Sequence, residues 1–341
     1  MGSGAMPVFV RVSLGSAMVL GLVKGKMDVE PSAIYLLTYK AGRCKADCGF
    51  CSQARSSASK ADLLSRVSWP KFPTENVLSA LESSRKEGST KRVCIQSLNY
   101  PGAFDEVLAL IMEIFSRTHM PISLSCQPVN RDQLRLLAES GLDRIGIPLD
   151  AASEGIFDIV KGTQAGGPYV WGRHLETIEE AVRIFGKGRV STHIIVGLGE
   201  RDVDIVQILD RVVRLGVCPA LFAFTPVKGT RMEGVERPAL RRYRRIQLAR
   251  YLLVNSMASV VDMKFDKNGA LMDLGIPREQ VTQAIKTGKP FMTSGCPDCD
   301  RPYYNEEPKG PLYNFPRRLK DYEISEILRD MLSGKERDLH D

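Results

Sequence analysis

From about residue 34 the chain alternates short apolar or β-branched runs with longer segments whose apolar positions recur every three to four residues, the pattern of βα units. Eight such runs read as strands: 34–40 (IYLLTYK), 91–98 (KRVCIQSL), 122–126 (ISLSC), 144–150 (RIGIPLD), 190–197 (VSTHIIVG), 220–227 (ALFAFTPV), 261–266 (VDMKFD) and 290–294 (PFMTS). Helices fit between them at Glu75–Lys86, Phe104–Arg117, Arg131–Ser140, Leu175–Phe185, Asp202–Leu215, Leu240–Ser256 and Arg278–Thr287. Gly141, Gly186 and Gly216 stand where three of these end, as a left-handed cap prefers. Eight parallel strands predict an α/β fold closed into a (β/α)8 TIM-type barrel over residues 33–295. A helical N-terminal extension (1–32) precedes it and a cysteine-containing tail (296–341) follows; residues 1–6, MGSGAM, read as an expression-tag remnant. In such barrels the site is built from loops at the C-terminal ends of the strands.

A hydrophobic content of 43% over 341 residues suits an ordinary packed core and excludes large-scale disorder. The net charge of +7 favours acidic partners without naming one. The apolar run from Ser16 to Val23 is too short to cross a bilayer, so no membrane association is expected. Eight cysteines are too few for a disulfide scaffold, and five of them fall in two tight groups, as metal ligands do in a reducing compartment. A soluble cytoplasmic protein is the expectation.

Cys44, Cys48 and Cys51 lie in GRCKADCGFCSQA, directly after the first strand, spaced CxxxCxxC. Small residues let such a loop wrap a cubane, and three thiolates leave the fourth iron of a [4Fe–4S] cluster open to a substrate's amine and carboxylate. A zinc site is the bland alternative, but zinc usually draws on two CxxC knuckles. Cys296 and Cys299 form a second group after the eighth run, placed by the barrel rule at the same mouth. They need a further thiolate to match the first site. Cys126, at the top of the third strand, is the first choice and Cys94, deeper in the second, the alternative; Cys218 reads as a core thiol. For the pair alone, half a zinc knuckle or a CxxC redox pair remains open.

The trio with Phe50 between its second and third cysteines resembles the CxxxCxΦC element of the radical S-adenosylmethionine (SAM) superfamily. The stretches KRVCIQS, ESGLDRIGIPLD and HIIVGLGE followed by TPVKGT are similar to biotin synthase and its relatives over roughly residues 33–295. The resemblance implies SAM bound to the open iron and cleaved to a deoxyadenosyl radical. It assigns Asp150 to the SAM ribose and Ile195, Gly197 and Glu200 to the adenine pocket, with His193 in place of the family's first glycine. It also implies that Arg173, with His174 beside it, holds the SAM carboxylate.

Biotin synthase takes its sulfur-donating cluster from cysteines on its second, third and fifth strands and a later arginine. Here only Cys94 matches, Ser191 replaces the fifth-strand cysteine, and Cys126 falls beyond the third-strand position. The tail GCPDCDRPYYNEEPKGPLYNFPRRL instead resembles the C-terminal element of the two-component lipoyl synthases of archaea. That resemblance implies two [4Fe–4S] clusters, one binding SAM and one an auxiliary sulfur donor. It implies sulfur insertion at C6 or C8 of a protein-bound octanoyl-lysine. The partners it implies are a companion synthase subunit, an octanoylated lipoyl carrier and an electron donor such as ferredoxin or flavodoxin. Tyr303, Tyr304 and Tyr313 are expected near the mouth, and Arg241, Arg242, Arg244, Arg245 and Arg250 suggest a basic helix face for an acidic carrier. Biotin-synthase-like insertion, a rearrangement like that of methylornithine synthase, and a non-enzymatic zinc module are the alternatives; no nucleic-acid motif is present.

Overall fold

The computed structural model describes residues 6–88, 90–307 and 309–332, so residues 1–5 of the expected tag remnant and residues 333–341 of the tail lie outside the described residues. Eight strands form one sheet: β1 (Phe9–Val12), β2 (Ala33–Thr38), β3 (Lys71–Pro73), β4 (Arg92–Gln96), β5 (Ile122–Ser125), β6 (Arg144–Gly146), β7 (Val190–Val196) and β8 (Cys218–Ala223). Their order is β8-β7-β6-β5-β4-β2-β1-β3. The run from β2 to β8 is parallel throughout, while β1 pairs antiparallel with both β2 and β3.

The expected closed barrel is therefore corrected: among the described residues β8 and β3 do not pair, and the sheet is open. Six of the expected strands form. The seventh, at 261–266, becomes a 3₁₀ turn (Val260–Asp262) and a two-residue strand paired off the sheet with Leu271–Asp273. Its tight turn is held by the Asp266 carboxylate, which accepts hydrogen bonds from the Asn268 and Ala270 amides. The eighth, at 290–294, starts as a 3₁₀ turn with Pro290 near its beginning, where a ladder N–H is lost.

Among the described residues no ninth strand covers the free edge of β8, and side chains from elsewhere satisfy it. Ser294 Oγ accepts from the Leu221 amide at 2.8 Å, Arg250 Nε donates to the Pro219 carbonyl at 2.6 Å, and Asn305 Nδ2 donates to the Ala223 carbonyl at 3.1 Å. Buried backbone groups are thus paired without closure. At the other edge the N-terminal extension contributes a strand as well as its short helix α1 (Leu14–Val19), where a helix alone was expected.

The helices are α2 (Thr74–Glu87), α3 (Ala103–Thr118), α4 (Arg131–Glu139), α5 (Glu154–Val160), α6 (Trp171–Phe185), α7 (Asp202–Arg214), α8 (Leu240–Val254), α9 (Arg278–Lys286) and α10 (Asp321–Leu332). The apolar stripes of α2, α3, α4, α6, α7 and α8 pack in one core with the sheet, while α9 and α10 pack on α8; in α7 Ile205, Val206, Ile208, Leu209 and Val212 are all buried. Each such side chain contributes roughly 1.5–3 kcal/mol relative to exposure. Along the parallel strands odd and even positions part company. Ile34, Leu36, Val93, Ile95, Leu124 and Ile194 join this helix-side core. Tyr35, Cys94, Ser123, Ser125, His193 and Phe222 face the opposite, concave side and line a cavity.

The basic face expected on α8 is not a free surface. Arg244 is buried and donates to the Tyr313 carbonyl at 2.7 Å, Arg250 caps β8, and Arg242 pairs with Asp202 and Glu200 at 2.7 and 3.0 Å. Among the described residues no helix is long and apolar enough to cross a membrane.

Candidate functional site: two cysteine groups in one cavity

The cysteine loop leaves the C-terminal end of β2 and folds back on itself. The Cys44 amide donates to the Gln53 carbonyl and the Cys51 amide to the Cys48 carbonyl, each at 3.1 Å. Gly49, between Cys48 and Phe50, donates to the Val160 carbonyl at 2.7 Å, which docks the loop on α5. The Asn99 amide points at Cys44 Sγ at 3.3 Å. Burial pushes the Cys48 thiol up against the opposing charge of Lys161, and pushes the Cys51 thiol up to about 12. A metal centre would displace these protons.

All eight cysteines are free thiols. Among the described residues no three or more His, Cys, Asp or Glu side chains form a group able to hold a metal ion. Three reduced thiols on one loop are the soft donor set that an iron–sulfur cluster takes.

The cavity runs from this loop down the concave face of the sheet. Phe50, Cys51, Asp150 and Ile195 line its upper end. Asp150 is left-handed, with φ 65°, and sits between β6 and β7: its amide donates to the His193 carbonyl at 2.8 Å, and its carbonyl accepts from the Ile195 amide at 2.7 Å. Its carboxylate accepts from Lys161 Nζ at 2.8 Å. Gly197 turns the chain after β7 with φ 110°; a Cβ there would lie 2.9 Å from Pro238 Cδ and 3.0 Å from Phe224 Cβ.

Two of the expected SAM contacts do other work. The Glu200 carboxylate is turned inward, accepting from the Gly197 and Leu198 amides at 2.8 Å and from Arg242, so it shapes the turn and does not line the cavity. The Arg173 side chain is 57% exposed, meets Glu176 at 3.5 Å and faces a separate pocket between α3, α4 and α6. His174 is buried beside it, its Nε2 3.2 Å from Gln127 Oε1, with its pKa lowered to about 3 by burial and then by the charge of Lys161.

Cys296 and Cys299 line the same cavity as Cys51, but from the opposite end. Their loop seats against the strand starts: Asp300 Oδ2 accepts from the Ser32 amide at 2.6 Å, Arg92 Nε donates to the Pro297 carbonyl at 3.1 Å, and Cys218 Sγ reaches the Gly295 carbonyl at 3.3 Å. The expectation of a pair at the mouth is corrected, because an open sheet lets the tail enter beneath the strands.

Cys94, in the middle of β4, faces the pair; burial raises its pKa well above the ordinary thiol value, and the nearby Cys299 and Cys296 raise it further. Cys126, the first choice for a third thiol, is not brought to the pair. It stands on the helix side of the sheet with Leu124, Val107 and Leu137, and burial alone pushes it up to about 12. The alternative, Cys94, is the thiol that the fold places beside Cys296 and Cys299.

Other residues of the lower end were not singled out in the sequence. Arg301 is buried, stacks on Phe222 with its Cζ 3.8 Å from the ring centre, and lines the cavity with Cys94 and Cys299. Tyr35 OH lies 3.7 Å from Cys299 Sγ and 3.1 Å from Asp300 Oδ1. Of the tail tyrosines, Tyr304 packs on Tyr35 and Trp69 at this lower end, Tyr313 packs on Tyr243 and donates to the Pro238 carbonyl, and Tyr303 lines a separate groove with Met18 and Met27; none closes the mouth.

A parallel open sheet with a three-thiol loop at the carboxyl end of its first parallel strand defines an α/β protein equipped for an iron–sulfur cluster. The Radical SAM superfamily profile matches residues 39–212, half of the chain, which therefore belongs to the radical SAM superfamily. That superfamily uses a [4Fe–4S] cluster and SAM. The chain is 30% identical over 169 residues to the biotin synthase of Magnetococcus marinus, covering 49% of each protein. It is 26% identical over 227 residues to that of Acinetobacter baumannii (65% of each) and 30% identical over 213 residues to that of Halorhodospira halophila (61% of each). The chain thus spans about half to two thirds of the length of these relatives. In fold it is similar to methylornithine synthase (TM-score 0.51, 13% identity, 65% of this chain and 62% of that one). It is also similar to a maturase of the [FeFe]-hydrogenase (TM-score 0.52, 13% identity, 70% and 53%).

Proposed function

We propose that this protein is a sulfur-inserting radical SAM enzyme of the lipoyl synthase type. It adds sulfur at C6 or C8 of an octanoyl group carried on a lysine of a protein or peptide. The observation that carries the reading is the single cavity with the Cys44/Cys48/Cys51 loop at one end and Cys94, Cys296 and Cys299 at the other. Bound at these two ends, and with a one-electron reductant, the clusters and SAM supply hydrogen abstraction from an unactivated C–H bond and sulfide sulfur for the carbon left behind.

The residues of the chain do the rest. Phe50, Asp150 and Ile195 form the pocket for the nucleoside part of SAM, and the Gly197 turn holds Ile195 and Phe224 together. Cys94 comes from a central strand and Cys296 and Cys299 from a loop anchored by Ser32, Arg92 and Tyr35, and all three line one end of the cavity without a closed barrel, which supports them as the auxiliary ligands. Tyr304, Trp69 and the tail seal the lower end and keep water from the path between the two groups. Most of the exposed cavity surface is apolar, with Phe50, Leu64, Ile195, Phe222 and Phe224 in its wall, as an alkyl substrate requires.

Sulfur insertion of the biotin synthase type is the second reading, favoured by the identity to biotin synthases. Against it, the cavity-facing positions around Cys94 are Ser123, Ser125 and Ser191, so thiols beyond Cys94 come from the tail instead of the strands. A companion subunit, an octanoylated carrier and a ferredoxin or flavodoxin complete the proposed reaction. Reconstituted protein with SAM, reductant and either an octanoyl-lysyl peptide or dethiobiotin separates the two readings. Thiolated peptide is expected; deoxyadenosine without a thiolated peptide, or thiolation of dethiobiotin alone, overturns the lipoyl reading.

A further inference from the structure

Lys161 belongs to no motif, yet its side chain is fully buried where α5 ends. Its ammonium donates to Asp150 Oδ2 at 2.8 Å and to the Pro148 carbonyl at 2.5 Å, and lies 5.6 and 5.3 Å from the ring centres of Phe157 and Tyr169. From there two short connections lead to the cysteine loop. The neighbouring Val160 carbonyl accepts from Gly49, between Cys48 and Phe50. On the other side Asn99 donates through Nδ2 to Tyr169 OH at 3.1 Å and points its amide at Cys44 Sγ at 3.3 Å.

Desolvating an ammonium is costly, and an apolar side chain of similar volume would pack among Phe157 and Tyr169 without that cost. The charge is therefore better explained by what it faces. It faces the carboxylate of Asp150, held in a left-handed conformation at the upper end of the cavity, and the rings it lies over, Phe157 and Tyr169, pack in one cluster with Cys44 and Cys48. Arg173, the cation expected for SAM, faces another pocket and leaves this role open.

We propose that Lys161 is a positioning residue for the radical chemistry: it fixes the Asp150 carboxylate for the SAM ribose and offsets the negative charge of a cluster ligated by Cys44, Cys48 and Cys51. This rests on the radical SAM reading of the trio. Reduction adds negative charge, so loss of the cation makes the cluster harder to reduce.

The test is a potentiometric titration followed by electron paramagnetic resonance, with SAM binding measured on the same samples. A Cys296→Ala/Cys299→Ala background leaves one cluster to titrate. Lys161→Met is expected to make reduction about tenfold harder, a potential about 59 mV more negative for one electron, and to weaken SAM binding about tenfold. Asp150→Asn/Lys161→Met, which leaves no orphaned carboxylate if the single variant fails to fold, removes a cation and an anion together and is expected to shift the potential by less than the single variant while weakening SAM binding about tenfold. Potentials in both variants within twofold of the parent equilibrium overturn the proposal while the radical SAM reading stands. A parent protein whose signal does not respond to SAM overturns both.

Discussion

Serine substitutions at Cys94 and Cys126 should have opposite signatures, because the two side chains stand on opposite faces of the sheet. On β5, Ser123 and Ser125 face the cavity while Leu124 and Cys126 face α3 and α4. A hydroxyl at position 126 enters an apolar pocket beside Val107, Leu124 and Leu137 and costs roughly 1–3 kcal/mol. At position 94 the hydroxyl joins a cavity wall that already carries Gln96, Ser123 and Ser125, so the metal-free protein changes by only about 0.5 kcal/mol. Iron follows the reverse order. With two cubanes the parent chain holds about eight irons, Cys94→Ser about four, and Cys126→Ser about eight. Urea denaturation of the metal-free variants and iron analysis after anaerobic reconstitution read both effects. A Cys126→Ser protein that drops to half its iron while Cys94→Ser keeps it all would refute the assignment of faces.

Gly197→Ala meets Pro238 and Phe224 at a φ of 110° and is expected to destabilise by roughly 2–4 kcal/mol, whereas Gly155→Ala, with nothing within 4 Å of its Cβ, should change little; thermal melting distinguishes them. The buried His174 and the half-buried, cavity-lining His193 have pKa values lowered to about 3 and about 4, chiefly by desolvation, below the ordinary value of about 6.5. Between about pH 6.5 and 4 the unfolded chain binds protons that the native state refuses. Stability is thus complete above pH 6.5 and falls with acidity, by about 2 kcal/mol per histidine at pH 5. The urea midpoint of metal-free protein should drop from pH 7 to pH 5, and His193→Gln should flatten the slope; a midpoint that rises on acidification contradicts the sign.

Local patterns were legible where local rules decide the outcome. Six parallel strands and the helices between them other than α5 follow from periodicity, and the trio follows from spacing alone. The last two expected strands failed because turn chemistry overrode their apolar residues, at Asp266 in one case and Pro290 in the other. Cys126 was misplaced although strand alternation carried the answer: in ISLSC the two serines share one face and the cysteine takes the other. Glu200 and Arg301 depend on partners far along the chain, at Arg242 and Phe222, and Lys161 meets Asp150 across a turn that no local pattern marks. The basic residues of α8 looked like a solvated face for the same reason, since their carbonyl and carboxylate partners come from β8, α7 and the tail.

The most direct test of a cavity with a radical source at one end and a sulfur source at the other is a single-turnover comparison of the parent with Cys296→Ala/Cys299→Ala. Both proteins receive SAM, reductant and an octanoyl-lysyl peptide, and deoxyadenosine and thiolated peptide are counted. Deoxyadenosine from both, with thiolated peptide from the parent alone, is the predicted result. Thiolation that survives removal of both tail cysteines would contradict it.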